Sequence, residues 1–354
     1  MTKYILKRVL LMLFTLFVIT TICFVLVKLL PPNLPEGGTA EQTKVYMDRF
    51  EALGYFEPIP VQYFIYLKNI VTKFDFGTSW FVDRPADVVD LLFSRMPPTI
   101  MVNLYSLIFS TPLGIALGIF AAIKKNKWQD HVISTLVIVC VSVPSYVYAF
   151  LVQYIFYFKL GWFPQTIYSL HDASGGWLQQ ALIKIQEAGI ITKLPFLADS
   201  FKYMLEQSPY FSGKMLFSMV LPVLALSFGS IAGLCRFTRA ELTETLTSDY
   251  MLLARTKGLT RAQATVRHAL KNAMVPILPS IISGFIGIIG GSMVIEQIFS
   301  IPGVGALYLQ AITTRDYDLF MLDTIFYTFV GLLAGIVVDL SYGFIDPRIR
   351  MGEK

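Results

Sequence analysis

Charge is scarce in this sequence. Asp, Glu, Lys and Arg make up 15% of its 354 residues, against about 25% in a soluble domain. That scarcity excludes a freely soluble globular protein, and a hydrophobic content of 55% points the same way. Cysteine and histidine are rarer still, at three each. Cys23, Cys140 and Cys235 lie inside apolar runs, and no pair has metal or redox spacing, so they read as small buried hydrophobes. His131, His171 and His268 are scattered, and no metal site is indicated. There is no G-x-x-x-x-G-K-[ST] loop to cradle phosphates. There is no H-E-x-x-H motif and no nucleophile–base pair in the apolar runs, so no catalytic residues are assigned. Internal repeats and low-complexity tracts are missing too. A net charge of +5 needs no nucleic acid to explain it.

What is abundant is uninterrupted apolar sequence. A helix needs about 20 apolar residues to cross a bilayer core. Six segments qualify, at about Val9–Leu30, Thr99–Ile123, Val132–Phe158, Met215–Cys235, Ala273–Ile295 and Leu319–Ser341. The second to fifth carry no charged residue. Lys28 sits near the end of the first, where a lysine can snorkel. A carboxylate at the bilayer centre costs about 2.5–3.5 kcal/mol. Asp323 and Asp339 are therefore expected within about a turn of the ends of the sixth. Uncharged span centres argue against a proton- or sodium-driven carrier.

The first apolar run is longer than the 7–15 residues of a signal peptide, and "PPNLPEGG" follows it without an A-x-A-like site, so it is expected to stay as an anchor. Lys3, Lys7 and Arg8 precede it and place the N-terminus in the cytoplasm. Alternation then puts "KKNK" (124–127), the stretch 236–272 and the tail 346–354 on the same side. Sixteen of the 29 Lys and Arg fall in these four pieces, at about three times the density of the opposite side, as the positive-inside rule requires. Two long segments, about 31–98 and 159–214, remain outside. Both mix Pro and Gly breaks with short amphipathic patterns such as "PVQYFIYLKNIVTKF" (60–74). Small helices on the outer face are expected there, with solvated loops as the alternative.

One cytoplasmic stretch is unlike the rest. In "DYMLLARTKGLTRAQATVRHAL" (249–270), Ser248 is placed to cap a helix that starts at Asp249. Gly258 falls where a C′ residue with positive φ would go. Thr260 to Gln263 reads as a capping box that opens a second helix. The pattern predicts helix, glycine turn, helix, ringed by Arg255, Lys257, Arg261, Arg267 and Lys271. Three readings compete: a charged loop that only sets topology and touches lipid headgroups, a basic helix-turn-helix for nucleic acid, and a docking knob for a cytoplasmic partner. So short a piece, tied to spans at both ends, disfavours the second.

This stretch, continued to "KNAMVP", resembles the cytoplasmic loop of permease subunits of ABC importers, in the oligopeptide, dipeptide and nickel branch. "VIEQIFSIPGVGALYLQAITTRDY" (294–317), "VVDLSYGFIDPRIR" (337–350), "YILKRVL" and "LGYFEPIPVQYFIYLKNIVTKFDFGTSW" are similar to the same branch, so the resemblance covers nearly the whole chain. Departures exist. Against the general Glu-Ala-Ala opening followed four residues later by glycine, Gly258 and Ala254 match while Leu252 and Leu253 replace the other two. The later Ile-x-Leu-Pro becomes His268-Ala-Leu-Lys271. The outer segment at roughly 166–214 is longer than the usual loop.

The resemblance implies an all-α membrane protein with six transmembrane helices, both termini cytoplasmic, and helical extracytoplasmic segments. It divides into residues 1–30 (tail and first span), 31–98 (extracytoplasmic) and 99–354 (permease core, with an outer insertion at about 159–214 and a coupling loop at about 236–272). It implies import of short peptides, or alternatively of nickel chelates or another small solute. Implied partners are a second homologous permease in a heterodimer, two cytoplasmic ATPases, an extracytoplasmic solute-binding protein and membrane lipid. The chain itself would hold no cofactor or metal, with ATP and Mg on the ATPases. Ala254, Arg255, Thr256, Lys257, Gly258 and Leu259 would contact the ATPase.

In the fifth span, Ser280, Gly284, Gly287 and Gly291 share one helix face, suited to close helix packing or to lining the path. Pro112, Pro144, Pro222, Pro276 and Pro279 interrupt spans and are expected to kink them. Glu296 is expected at an outer gate, at the binding protein or as an interfacial acid. Asp339 and Asp346 near Arg348 and Arg350 read as a stabilising end cluster.

Overall fold

Lipid offers no partner for backbone N–H and C=O groups, so apolar runs of this length can satisfy themselves only as helices. The computed structural model describes residues 2–30, 39–52, 54–82, 85–187 and 198–345. The chain runs through α1 (Thr2–Lys28), α2 (Ala40–Ala52), α3 (Ile59–Lys73), a small antiparallel pair β1 (Thr78–Ser79) and β2 (Ala86–Asp87), then α4 (Val88–Ile123) and α5 (Trp128–Ser142). It continues through α6 (Ser145–Val152), extended by a π-turn over Gln153–Lys159, then α7 (Trp177–Glu187), α8 (Ala198–Gln207) and α9 (Gly213–Leu246). The last part holds α10 (Asp249–Thr256), α11 (Arg261–Ala264), a π-turn (Thr265–Ala269), α12 (Leu270–Gly287), α13 (Met293–Ile298), α14 (Val304–Thr314) and α15 (Tyr317–Ile345).

Among the described residues, five helices are long and apolar enough to span, at Ile5–Lys28, Val88–Ile123, Gly213–Leu246, Arg261–Gly290 and Tyr317–Gly343. The expected third span is not continuous: α5 and α6 meet at a bend of 103°. Val143 is extended there (φ −90°, ψ 127°) and Pro144 opens the next helix. Proline disfavours helical geometry in the residue before it and brings no N–H of its own. Counted as one, the bent pair makes six spans. Pro112, Pro222, Pro276 and Pro279 all lie inside continuous helices, so only one of the five prolines breaks a span. The fifth span also differs from expectation. It begins at Arg261, well ahead of Ala273, and gives way after Gly290. Gly291 lies outside it with φ 65°.

The chain forms two compact units, Met1–Met96 with Pro302–Ile336, and Pro97–Ile301 with Val337–Lys354. In the first, Phe24 of α1 meets Tyr63 and Tyr66 of α3, with ring centroids 5.2 Å apart in both pairs. Thr21 Oγ1 and the Tyr63 hydroxyl share a hydrogen bond of 2.5 Å. Two motifs far apart in sequence lock together here. The Asp316 carboxylate accepts from Ser79 Oγ at 2.7 Å and from the Trp80 and Phe81 amides at 3.1 Å. Asp318 accepts from the Thr78 amide at 3.1 Å. These contacts give "FGTSW" and "TTRDYD" a shared structural cause.

Asp323 is near the start of its span, as expected, but it faces inward. It lies in the second turn of α15, fully buried, and neither carboxylate oxygen has a hydrogen-bond partner. The helix starts at Tyr317, so residue 323 falls on the same face as Leu319 and Tyr327, both part of an apolar cluster with Val88, Leu92 and Leu307.

In the second unit, α5, α6 and α12 pack along α9. Ser106 and Ser227 hydroxyls lie 3.1 Å apart across buried surface. One close helix approach is a contact that periodicity did not single out. A Cβ on Gly118 would meet Thr238 Cβ at 2.6 Å and the Cys235 carbonyl oxygen at 2.7 Å, and one on Gly114 would meet Leu234 Cβ at 2.8 Å. The pair, spaced by four, is a G-x-x-x-G face of α4 set against α9. Cys235 is buried and all three cysteines are free. Glu296 is not an exposed gate or surface acid. It is 2% exposed and accepts a 2.9 Å hydrogen bond from Thr99 Oγ1. Asp346, Arg348 and Arg350 lie outside the described residues, so the proposed end cluster does too.

Candidate functional site: the elbow at 249–273

The elbow is built from short-range hydrogen bonds. Ser248 has the extended geometry of an N-cap, yet its side chain makes no cap bond. Its hydroxyl donates instead to the Thr245 carbonyl at 2.6 Å, which ties the end of α9 to the start of α10. At the other end the Gly258 amide donates to Arg255 O at 3.0 Å and the Leu259 amide to Ala254 O at 3.3 Å. These are the two bonds of a Schellman turn, which requires a left-handed residue at C′. Gly258 supplies it, at φ 89°. Nothing lies within 4 Å of a Cβ added there, so glycine is required by backbone geometry and not by crowding. The capping box is present in both directions: the Thr260 amide donates to Gln263 Oε1 at 3.0 Å and the Gln263 amide to Thr260 Oγ1 at 3.3 Å. The second helix then passes without interruption into the span.

The inner face of the elbow is small and apolar. Met251, Ala254, Ala264, Ala269 and Ala273 pack with Leu242 and Ala122, all buried. Alanine side chains let the elbow lie close against the ends of α4 and α9. Of the six residues expected to meet an ATPase, Ala254 therefore faces inward, Leu259 is half-buried, and Arg255, Thr256, Lys257 and Gly258 are exposed. Two residues missing from that set stand out: Leu252 is 66% and Leu253 56% exposed. They are the positions where this chain departs from the general loop pattern, which was the available signal. A hollow beside the elbow is lined by Ser248, Asp249, Leu252, Arg255, Arg261 and Thr265.

Below the elbow an ion pair with a buried carboxylate fixes its base. Arg239 Nε donates to Asp130 Oδ1 at 2.5 Å and its terminal nitrogen to Oδ2 at 2.8 Å. The Asn126 amide, from the turn inside "KKNK", donates to Oδ2 at 2.9 Å. Asp130 is 1% exposed. Arg239, counted by charge density as a topology residue, is thus engaged in holding α5 and the 124–127 turn to α9.

The four small residues of the fifth span have different surroundings within this chain. Ser280 and Gly287 are exposed, nothing lies near a Cβ on Gly287, and Gly291 is outside the helix. Gly284 and Gly287 instead line a polar groove with Asn103, Ser106 and Ser230. No group of His, Cys, Asp and Glu able to hold a metal occurs among the described residues.

Comparison with known proteins bears on the whole chain. Residues 114–351 match the family model for the binding-protein-dependent transport system inner membrane component. Residues 1–103 match the model for the N-terminal part of such membrane components. The chain is 32% identical to the dipeptide transport system permease protein DppB of Bacillus subtilis, over 100% of both chains. It is 34% identical to the oligopeptide transport system permease protein OppB of Escherichia coli K12, over 99% of this chain and 100% of that one. It is 30% identical to the glutathione transport system permease protein GsiC of Salmonella choleraesuis, over 99% of each. The chain therefore belongs to the binding-protein-dependent transport system inner membrane components, as an all-α, multi-pass permease subunit of the cytoplasmic membrane.

Proposed function

We propose that this permease subunit moves short peptides inward by alternating access, paired with a second homologous permease. The observation that carries the cargo is the agreement among relatives spanning essentially the whole chain, which are named for dipeptides, oligopeptides and glutathione. A separate extracytoplasmic protein would deliver the peptide, and two cytoplasmic ATPases would hold ATP and Mg and supply the energy. Both termini and the elbow then face the cytoplasm, and residues 31–98 and about 159–214 lie outside.

In this reading the elbow is a lever. Leu252 and Leu253 would seat in an apolar cleft of the ATPase, and Arg255 and Lys257 would pair with carboxylates at its rim. Two caps and an alanine-packed inner face make the lever stiff, so a push on α10 is passed to α9 and α12. Gly284, Gly287, Asn103, Ser106 and Ser230 are the residues we assign to the peptide path.

The test is uptake in proteoliposomes that contain all subunits. Peptide accumulation should require ATP, and accumulation without ATP would rule the mechanism out. Gly258→Val should reduce coupled uptake at least tenfold while insertion and basal ATP hydrolysis persist. A left-handed conformation costs an ordinary residue about 1–2 kcal/mol, and a β-branched one more. No neighbour is close enough to be disturbed, so the effect should be confined to the turn. Unchanged uptake would remove the elbow from the coupling route.

A further inference from the structure

A second groove lies wholly within the first unit, where two spans reach the membrane boundary. The span Ile5–Lys28 ends there and the span Tyr317–Gly343 begins there. Val27 comes from the last turn of the one, and Tyr317 and Phe320 from the first turn of the other. Because these residues line the groove together, the two span ends lie at the same level. Leu30 and Ile312 extend the apolar wall and are 51% and 46% exposed. The groove encloses about 380 Å3, within the roughly 300–1,000 Å3 of pockets that hold small molecules.

Among the described residues, the one charged residue that lines this groove is Arg315. It is exposed and stands two positions ahead of the second span, just outside the apolar layer. A turn of the kind seen at Gly258 fixes its place. The Arg315 amide donates to Ile312 O at 3.3 Å and the Asp316 amide to Ala311 O at 2.9 Å. Arg315 takes the left-handed position of that turn, at φ 56°. Glycine adopts this conformation with less strain, so the turn itself gives no reason for an arginine. The acids that follow are engaged by backbone and hydroxyl donors. Asp316 accepts from Ser79, Trp80 and Phe81, and Asp318 from Thr78. Neither lines the groove. Lys28, next to Val27, adds a second cation at the same level, with its Nζ 4.4 Å from the Tyr55 ring centroid. Tyr317 is of the residue type that collects at membrane–water boundaries.

We propose that this groove binds one anionic phospholipid, with an acyl chain along Val27, Leu30, Ile312 and Phe320 and the phosphate on the Arg315 guanidinium. A guanidinium offers phosphate oxygens two parallel N–H donors. The position at two span ends sets the apolar wall among acyl chains and the arginine among headgroups, which selects a lipid over a peptide or a protein segment. A chain laid there covers wall from α1, α14 and α15 at once, so the lipid ties the two spans together. The inference needs only the membrane boundary and holds whatever cargo the permease carries.

The test is native mass spectrometry of the full chain in detergent, stripped of lipid and titrated with dioleoylphosphatidylglycerol. The wild type should hold one such lipid, and its melting temperature should rise with lipid concentration. Arg315→Gly suits the turn, so its lipid-free melting temperature should hold or rise, while its affinity for the lipid should fall about tenfold or more. Ile312→Trp fills the groove from an exposed position and should abolish both the bound lipid and the thermal shift. Glycerol phosphate at equal concentration should not compete, because it lacks the chain. Absence of wild-type binding, or wild-type affinity in either variant, overturns the proposal. Competition by glycerol phosphate would make this an anion site without a chain and overturns it too. So would lipid-free dimers dispersed by Ile312→Trp, which would assign the face to a second copy.

Discussion

Arg239→Ala is expected to destabilise the protein by about 3–5 kcal/mol, the effect of leaving one partner of a buried pair uncompensated. Thermal unfolding in detergent, followed by the tryptophan signal, measures it. The two partners should not be equivalent. Asp130 is 1% exposed, while 33% of the Arg239 side chain reaches solvent. Removing Arg239 strands a carboxylate that has only the Asn126 amide and the Ser134 hydroxyl left to it. Removing Asp130 leaves a guanidinium that can turn toward water. Asp130→Ala should therefore cost less than Arg239→Ala, and equal losses would show that the pair is not buried as described. The exchange Asp130→Arg with Arg239→Asp should recover only part of the loss, because Asn126 donates its amide and cannot serve an arginine.

Gly118→Val should be nearly as damaging, for a steric reason. Even the first added carbon falls 2.7 Å from the Cys235 carbonyl oxygen, which is backbone and cannot rotate away. Overpacking of this kind costs about 1–3 kcal/mol for a single methylene, and valine brings two further methyl groups. Gly118→Ala should show the lower end of that range. Gly229 and Gly233 serve as controls on α9, because nothing lies within 4 Å of a Cβ at either. Alanine there should be neutral or stabilise by up to about 1 kcal/mol, the difference in helix propensity. The measurement is folded yield together with melting temperature across the four variants. A tolerated Gly118→Val would mean that α4 and α9 are further apart than described.

Legibility from the residues followed the range of the interactions concerned. The turn at Gly258 and the box from Thr260 to Gln263 were readable because their donors and acceptors lie within five residues of one another. The bend at Pro144 was half-readable: proline marked it, but the same residue is absorbed in unbroken helix at positions 112, 222, 276 and 279. The burial of Glu296 and Asp323 was not readable, because a hydropathy window reports an average and not the direction of one side chain. Each is buried by its own helix face.

The amino-acid order alone determined where the apolar spans lie, the position of the elbow and the family. Span length and local capping depend only on neighbours along the chain and on the absence of water in lipid. Tertiary structure alone decided which small residues pack, which ion pair is buried and which face of the elbow is free. Asp130 finds Arg239 across 109 positions, and Ser79 finds Asp316 across 237. No periodicity encodes such a meeting, because it exists only once the helices have been laid side by side.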